Sequence, residues 1–263
     1  MILVYMIFLL VSFGASTVGA ICGIGGGVII KPVLDAFGVL DVAIISFMSG
    51  CTVLAMSCYS VIKGKLSGES VVDMRTGTPL AVGAAVGGIV GKMMFAAVSG
   101  LFADKNTVGA VQAGCLAVIT VGTLIYTLNK DKIKTHKVEN LLACLFIGLA
   151  LGFMSSFLGI GGGPINLVVL YFFFSMDTKT AAQNSLYIIL FSQAASFLNT
   201  VIGGTVPPME APLLAGMVVC GILGGVLGRK VNKKIDAPVV DKLFIGLMGV
   251  IILICIYNVY HYM

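Results

Sequence analysis

The chain has 263 residues, of which 59% are hydrophobic and 10% charged, and its mean hydropathy is +1.09. Soluble domains carry about 25% charged residues, so this composition excludes a water-soluble globular protein and implies an all-α integral membrane protein. The net charge of +5 gathers between apolar runs, where it reads as a topology signal and not as a nucleic-acid patch.

In chain order, the N-terminal stretch MILVYMIFLLVSFGAST has no positively charged start and reads as a retained helix, not a cleaved signal. It opens an apolar region over 2–38 that is interrupted by GIGGG at 23–27. Plain spans of roughly 20 residues, the length a bilayer requires, follow over 42–62, 76–98 and 107–128. A lysine-rich linker, 129–140, leads to a second interrupted apolar region, 141–176, with GIGGG at 159–163. Spans over 178–202, 212–228 and 240–260 complete the chain. Tryptophan is absent, so an interfacial aromatic belt must use Tyr5, Tyr126, Tyr257, Tyr260 or Tyr262.

Positive charge orients these elements. Lysine and arginine concentrate in 63–75, 129–140 and 229–242, while 203–211 has none, so the positive-inside rule places the three basic segments in the cytoplasm. Each interrupted region then enters and leaves on one side as a hairpin, and both termini are expected outside. The two halves correspond. A gapless shift of 136 residues pairs 23–60 with 159–196, and 13 of the 38 positions are identical, among them all of GIGGG, Asp41/Asp177, Ser49/Ser185 and Ser60/Ser196. Two small-residue rows, GGIVG at 87–91 and GGVLG at 224–228, also correspond and read as close helix packing. The expected plan is an inverted repeat: residues 1–128, a linker over 129–140, and residues 141–263, each half a broken-helix hairpin plus three spans.

Glycine costs a helix interior up to ~1 kcal/mol, so a glycine motif repeated inside two apolar regions points to function. Irregular backbone at membrane depth is tolerated only where it is buried in protein or lines a wet cavity. The amide groups at a helix start attract an anion, and Pro164 suits the first position of the returning helix. Gly25, Gly26, Gly27, Gly161, Gly162 and Gly163 are therefore candidate walls of a small anion cavity near the midplane. Asn166, Asn184, Ser185, its counterpart Ser49, and Gln193 are candidate polar ligands, each with interhelical hydrogen bonding as the plainer reading. Lys31, inside an apolar hairpin, either neutralises the anion or snorkels to the interface. Lys92, which aligns with Arg229, reads as snorkelling.

These residues carry a family resemblance. The repeated glycine motif, the chain length and the following segment with Asn184–Ser185 resemble the sulfite exporter TauE/SafE (TSUP) family, most specifically over 19–50 and 152–198. The resemblance implies an inner- or plasma-membrane transporter of small sulfur-containing anions such as sulfite, thiosulfate or organosulfonates. It implies the six glycines as site residues and, more loosely, Asn184 and Ser185. Met48 and Ser49 stand where Asn184 and Ser185 stand in the other half, so unequal contributions from the two halves are expected. Expected partners are the anion and the lipid bilayer, with no nucleic acid and no cofactor or metal; the oligomer considered is a homodimer.

The eleven acidic residues and both histidines read as lying at span ends or in loops, so no proton relay is expected and export would be driven by substrate gradient and voltage. A potential of ~100 mV favours each exiting negative charge by about 2.3 kcal/mol. The alternatives are an anion channel, a membrane-embedded thiol or sulfur-relay enzyme using Cys22, Cys51 or Cys58, and a scaffold that binds no anion. The seven cysteines show no metal or disulfide spacing and favour apolar packing.

Overall fold

A computed structural model of the chain describes residues 2–101, 105–160 and 162–262. The described residues form ten α-helices in order: α1 (Ile2–Cys22), α2 (Gly27–Ala36), α3 (Val42–Leu66), α4 (Met74–Leu101), α5 (Lys105–Asn129), α6 (Leu141–Phe157), α7 (Pro164–Phe174), α8 (Thr178–Ile202), α9 (Ala211–Lys234) and α10 (Ala237–Tyr262). A single 3₁₀ turn, Lys130–Lys132, follows α5, and no strand occurs among the described residues. Seven of the helices, α1, α3, α4, α5, α8, α9 and α10, are long and apolar enough to cross a membrane. With 10 and 11 residues, α2 and α7 reach only about 15 Å, half a hydrocarbon core.

Local chemistry sets the boundaries. Asp177 caps α8 by accepting from the amides of Lys179 (3.0 Å) and Thr180 (3.1 Å), and Asn140 caps α6 through Leu142 and Ala143. The chain leaves α1 at Gly23 (φ +77°) and α6 at Gly159 (φ +66°), a left-handed conformation that disfavours any residue with a β-carbon. Pro164 occupies the first turn of α7, where its missing amide proton costs nothing.

The helix pairings recur when α1–α5 are exchanged for α6–α10. Helix α1 packs on α9 as α6 packs on α4. Likewise α3 packs on α9 as α8 does on α4, α2 on α10 as α7 on α5, and α2 on α3 as α7 on α8. The pairs α3–α8 and α5–α10 map onto themselves.

Bare backbone makes the two tightest pairings possible. β-Carbons added to Gly83, Gly87 and Gly91 of α4 would lie 2.1–2.4 Å from the carbonyl oxygens of Leu145, Leu149 and Phe153 on α6. Those on Gly224 and Gly228 of α9 would meet Phe13 and Thr17 carbonyls of α1 at 2.5 and 2.3 Å. The small-residue rows are packing surfaces, as their spacing suggests.

Candidate functional site

The two glycine breaks touch. A β-carbon on Gly27 would lie 2.0 Å from the carbonyl oxygen of Ile160, and one on Gly162 would lie 3.2 Å from that of Ile24. Each break also abuts the long helix of the other half: Gly23 meets Ala182 of α8, and Gly159 meets Ser46 of α3. Ser46 and Ala182 are themselves counterparts under the 136-residue shift.

A cavity lies to either side of this junction. The wide one, about 310 Å³, is formed at the C-terminal ends of α3 and α9, the N-terminal end of α8, and the 69–72 segment. It is lined by Ser60, Glu69, Lys179, Gln183, Arg229 and Lys233, among others. The narrow one, about 20 Å³, is formed by the opposite halves of α3 and α8 with α4 and the end of α6. Ser46, Cys51, Lys92, Ser156, Gly159, Gln193 and Ser196 line it. The two are built from corresponding positions: Ser60 for Ser196, and Arg229 for Lys92. Between them Ala20, Val53, Met56, Leu186 and Ile189 pack into an apolar cluster. Val53 and Ile189 are also counterparts.

Each cavity carries its own cation. Arg229 donates from Nη1 to the Ser60 carbonyl at 2.6 Å and from Nη2 to Glu69 at 2.8 Å, and Lys233 holds the same carboxylate at 2.6 Å. Hydrogen bonds from Lys233 and then Arg229 hold the Glu69 carboxyl below the usual glutamate range. The 69–72 segment is also tied to α8, the Val71 amide donating to Gln183 Oε1 at 3.3 Å. Lys92, expected to snorkel, instead lines the narrow cavity, with Nζ 5.7 Å from the Phe95 ring centroid.

Of the sequence-predicted residues, Gly25, Gly26, Gly27, Gly162 and Gly163 are buried at the junction, and Gly161 lies outside the described residues. Gln193 lines the narrow cavity and donates weakly to Ser155 Oγ at 3.4 Å. Ser49 and Ser185 are fully buried with unpartnered hydroxyls. Asn184 donates to the Thr180 carbonyl at 2.9 Å, its oxygen unpartnered, and Asn166 is buried with both side-chain polar atoms unpartnered.

Lys31 neither faces water nor stands alone. Its ammonium donates to Asp35 Oδ2 at 2.6 Å, and both side chains are at most 5% exposed. Asp35 stands in the last turn of α2, at a span end as expected, but it is buried there and paired with Lys31. A carboxylate four residues from a lysine on one helix face is a pairing signal readable in sequence. Here α10 and α5 cover it, so the pair is buried. Sequence reasoning also missed the cavity roles of Glu69, Lys179 and Lys233. The alignment of Lys92 with Arg229 was the available clue for those two.

The family profile described as Sulfite exporter TauE/SafE matches residues 8–254. The chain is 24% identical over 253 residues, 88% of this chain and 90% of the relative, to the "Probable membrane transporter protein YunE" of Bacillus subtilis. It is 22% identical over 271 aligned positions, 96% of this chain and 97% of the relative, to the "Probable membrane transporter protein MJ0441" of Methanocaldococcus jannaschii. No solved structure matches.

Proposed function

Because the chain belongs to the sulfite exporter TauE/SafE family of membrane transporters, we propose that it carries a small sulfur-containing anion across the membrane, outward, by alternating access between the two cavities. The observation that carries this reading is the asymmetry of two corresponding cavities. One holds about 310 Å³ and the other about 20 Å³, each bears a cation, and an apolar cluster with the glycine junction separates them. A carrier is expected to open one such cavity at a time, whereas a channel needs a continuous path. The correspondence of helix pairings supports an inverted repeat, the plan in which one half rocks against the other.

The wide cavity lies at the end bearing the basic segments 63–75 and 229–242, the cytoplasmic end by the positive-inside rule. An anion enters there past Lys179, Arg229 and Lys233. The Glu69 carboxylate already occupies Arg229 and Lys233, so it stands where an oxyanion is chemically suited to bind. Rocking closes this end and opens the Lys92 cavity opposite. The unpartnered hydroxyls of Ser49 and Ser185 and the unpartnered amide nitrogen of Asn166, with the backbone of the glycine breaks, are the proposed donors along the way, beside the Asn184 amide that donates to Thr180.

The test is electrical recording on proteoliposomes of purified protein, across sulfite, thiosulfate, sulfoacetate, taurine, sulfate and chloride. A saturable current for one sulfur oxyanion, weakened in Arg229→Gln, is the expected result. Currents that do not saturate would select a channel, and no response to any anion by folded protein would overturn the reading.

A further inference from the structure

A second polar site lies apart from both cavities, between α2, α5 and α10. Lys31, Asp35, Gln112, Cys255 and Asn258 line a space of about 10 Å³ there, closed by Leu116 and Leu158. That is close to the volume of a single water. The charged and amide side chains around it are all at most 5% exposed.

The orientation of the amides is informative. Gln112 Nε2 donates to the Phe157 carbonyl at 2.7 Å, and Asn258 Nδ2 donates to the Pro32 carbonyl at 2.8 Å. Both donors being committed to backbone, both amide oxygens are left over. Gln112 Oε1, Asn258 Oδ1 and Asp35 Oδ1 are all buried and unpartnered. Three buried acceptors without a partner thus border one space, beside the ammonium that Asp35 Oδ2 holds. Buried acceptors left unpaired are costly, and an ion pair inside a membrane protein is rarely kept for stability alone.

The pair is also in contact with the transport machinery. Lys31 Cε passes 3.3 Å from the β-carbon position of Gly159, the first glycine of the second break, and Gly159 is a wall of the narrow cavity. Lys92, in that cavity, is within electrostatic reach of Lys31.

We propose that Asp35 is a proton-binding site that couples protons to anion movement, a reading that rests on the transporter function above. A proton added at Asp35 Oδ1 turns the carboxylate into a carboxylic acid that donates to the Gln112 or Asn258 oxygen. No bond other than O–H forms, and the pair passes from net zero to one positive charge, carried by Lys31. That charge is compensated by the anion on the far side of Gly159, so proton and anion occupancy favour each other. A dianion moving with one proton still carries one net negative charge, so an inside-negative potential still favours its exit.

The other titratable groups facing this pair are few. From α10 come Cys255 and Tyr262, and from α4 comes Lys92. From α5 come Gln112, Ala113 and Leu116, none of which titrates. From α1 and α3, apolar Phe8, Ile45 and Met48 pack with Ile30 and Leu34 of α2. Asp35 is thus the carboxylate available to a proton there among the described residues.

Two measurements test this. The first is an infrared difference spectrum of purified protein between alkaline and mildly acidic pH, with no anion present. Asp35→Asn leaves Lys31 unpaired and risks misfolding, so the comparison is the charge-free double variant Lys31→Leu/Asp35→Leu; Lys31 has Leu167 as its second-half counterpart. The expected result is a protonated-carboxyl band in the wild type that the folded double variant lacks. The same band in both would overturn the proposal. The second is sulfite- and thiosulfate-driven current in proteoliposomes at varied pH. For thiosulfate, whose own charge stays constant over this range, the wild-type rate should fall by up to about tenfold per pH unit as protons are withdrawn, as one bound proton requires, and the double variant should show a flat thiosulfate profile. Flux that ignores pH, or that requires sodium instead, would overturn it. If neither anion moves, the transporter reading fails, and the infrared comparison still decides whether Asp35 binds a proton.

Discussion

The carbonyl oxygen of Ile160 lies 2.0 Å from where a β-carbon on Gly27 would stand, so the two glycine breaks meet backbone to backbone. Backbone cannot rotate away as a side chain can. Gly27→Ala is therefore expected to destabilise the protein by at least about 1–3 kcal/mol and to abolish transport. Gly246→Ala on α10, where nothing lies within 4 Å, is the control and should leave both unchanged. Melting temperature in detergent, read beside transport, checks the pair.

The cations of the two cavities make side-specific predictions. Arg229 faces the wide cavity and Lys92 the narrow one. A charge-assisted hydrogen bond to an anion contributes about 1.5–3 kcal/mol, or roughly 10–100-fold in affinity. Arg229→Gln should raise KM by that factor for anion presented at the wide-cavity side, and Lys92→Gln for anion presented at the other. Oriented vesicles assayed from each side would show it; equal effects from both sides would contradict the assignment.

Ser60 and Ser196 are counterparts in the two cavities. In a cysteine-free protein, Ser60→Cys should react with a soluble thiol reagent in the state described here, and Ser196→Cys should be protected. Conditions that drive transport should reverse the order. Simultaneous reactivity of both, independent of anion, would indicate a channel.

The Glu69 carboxyl is held below its usual range by Lys233 and Arg229. The sign follows: a depressed folded-state value means the contact holds the 69–72 segment fully above the ordinary glutamate range, near pH ~4.3, and releases it as pH falls through the lower, folded-state value. At neutral pH, the Val71 amide should exchange faster in Glu69→Gln than in wild type. The difference should vanish under strong acid. Hydrogen exchange across pH measures it.

Asn166 is buried with both side-chain polar atoms unpartnered, and its first-half counterpart is Ile30. Removing an unpaired buried polar group relieves about 1–3 kcal/mol. Asn166→Leu, similar in shape, should raise the melting temperature yet weaken transport, as the proposed role of its polar atoms toward the anion requires. A variant that is stabilised and fully active would remove Asn166 from the site.

Much of the helix order was legible because hydropathy over some 20 residues is a local quantity, and because Gly23 and Gly159 must end helices wherever they take positive φ. The observed Thr178–Ile202 coincides with the expected span, and Ala237–Tyr262 exceeds its expected span by only a few residues at each end. The correspondence of the halves was legible for the same reason, since identity at a fixed shift needs no geometry. The cavity was harder. Sequence reasoning led to Gly25, Gly26, Gly27, Gly161, Gly162 and Gly163 as its walls; among the described residues Gly27 and Gly162 pack against the opposite break, and the neighbouring Gly159 lines the narrow cavity.

What the sequence determined by itself was therefore six of the seven long apolar helices and the family, both of which depend on residue type and spacing along the chain. Only the tertiary structure decided that Lys31 is held by Asp35 beneath α5 and α10. It also decided that Lys92 turns inward, and that one cavity is wide while its counterpart is narrow. The physical reason is that burial and pairing depend on which helix faces lie opposite one another. Residues more than a hundred positions apart set those faces, and no local pattern records them.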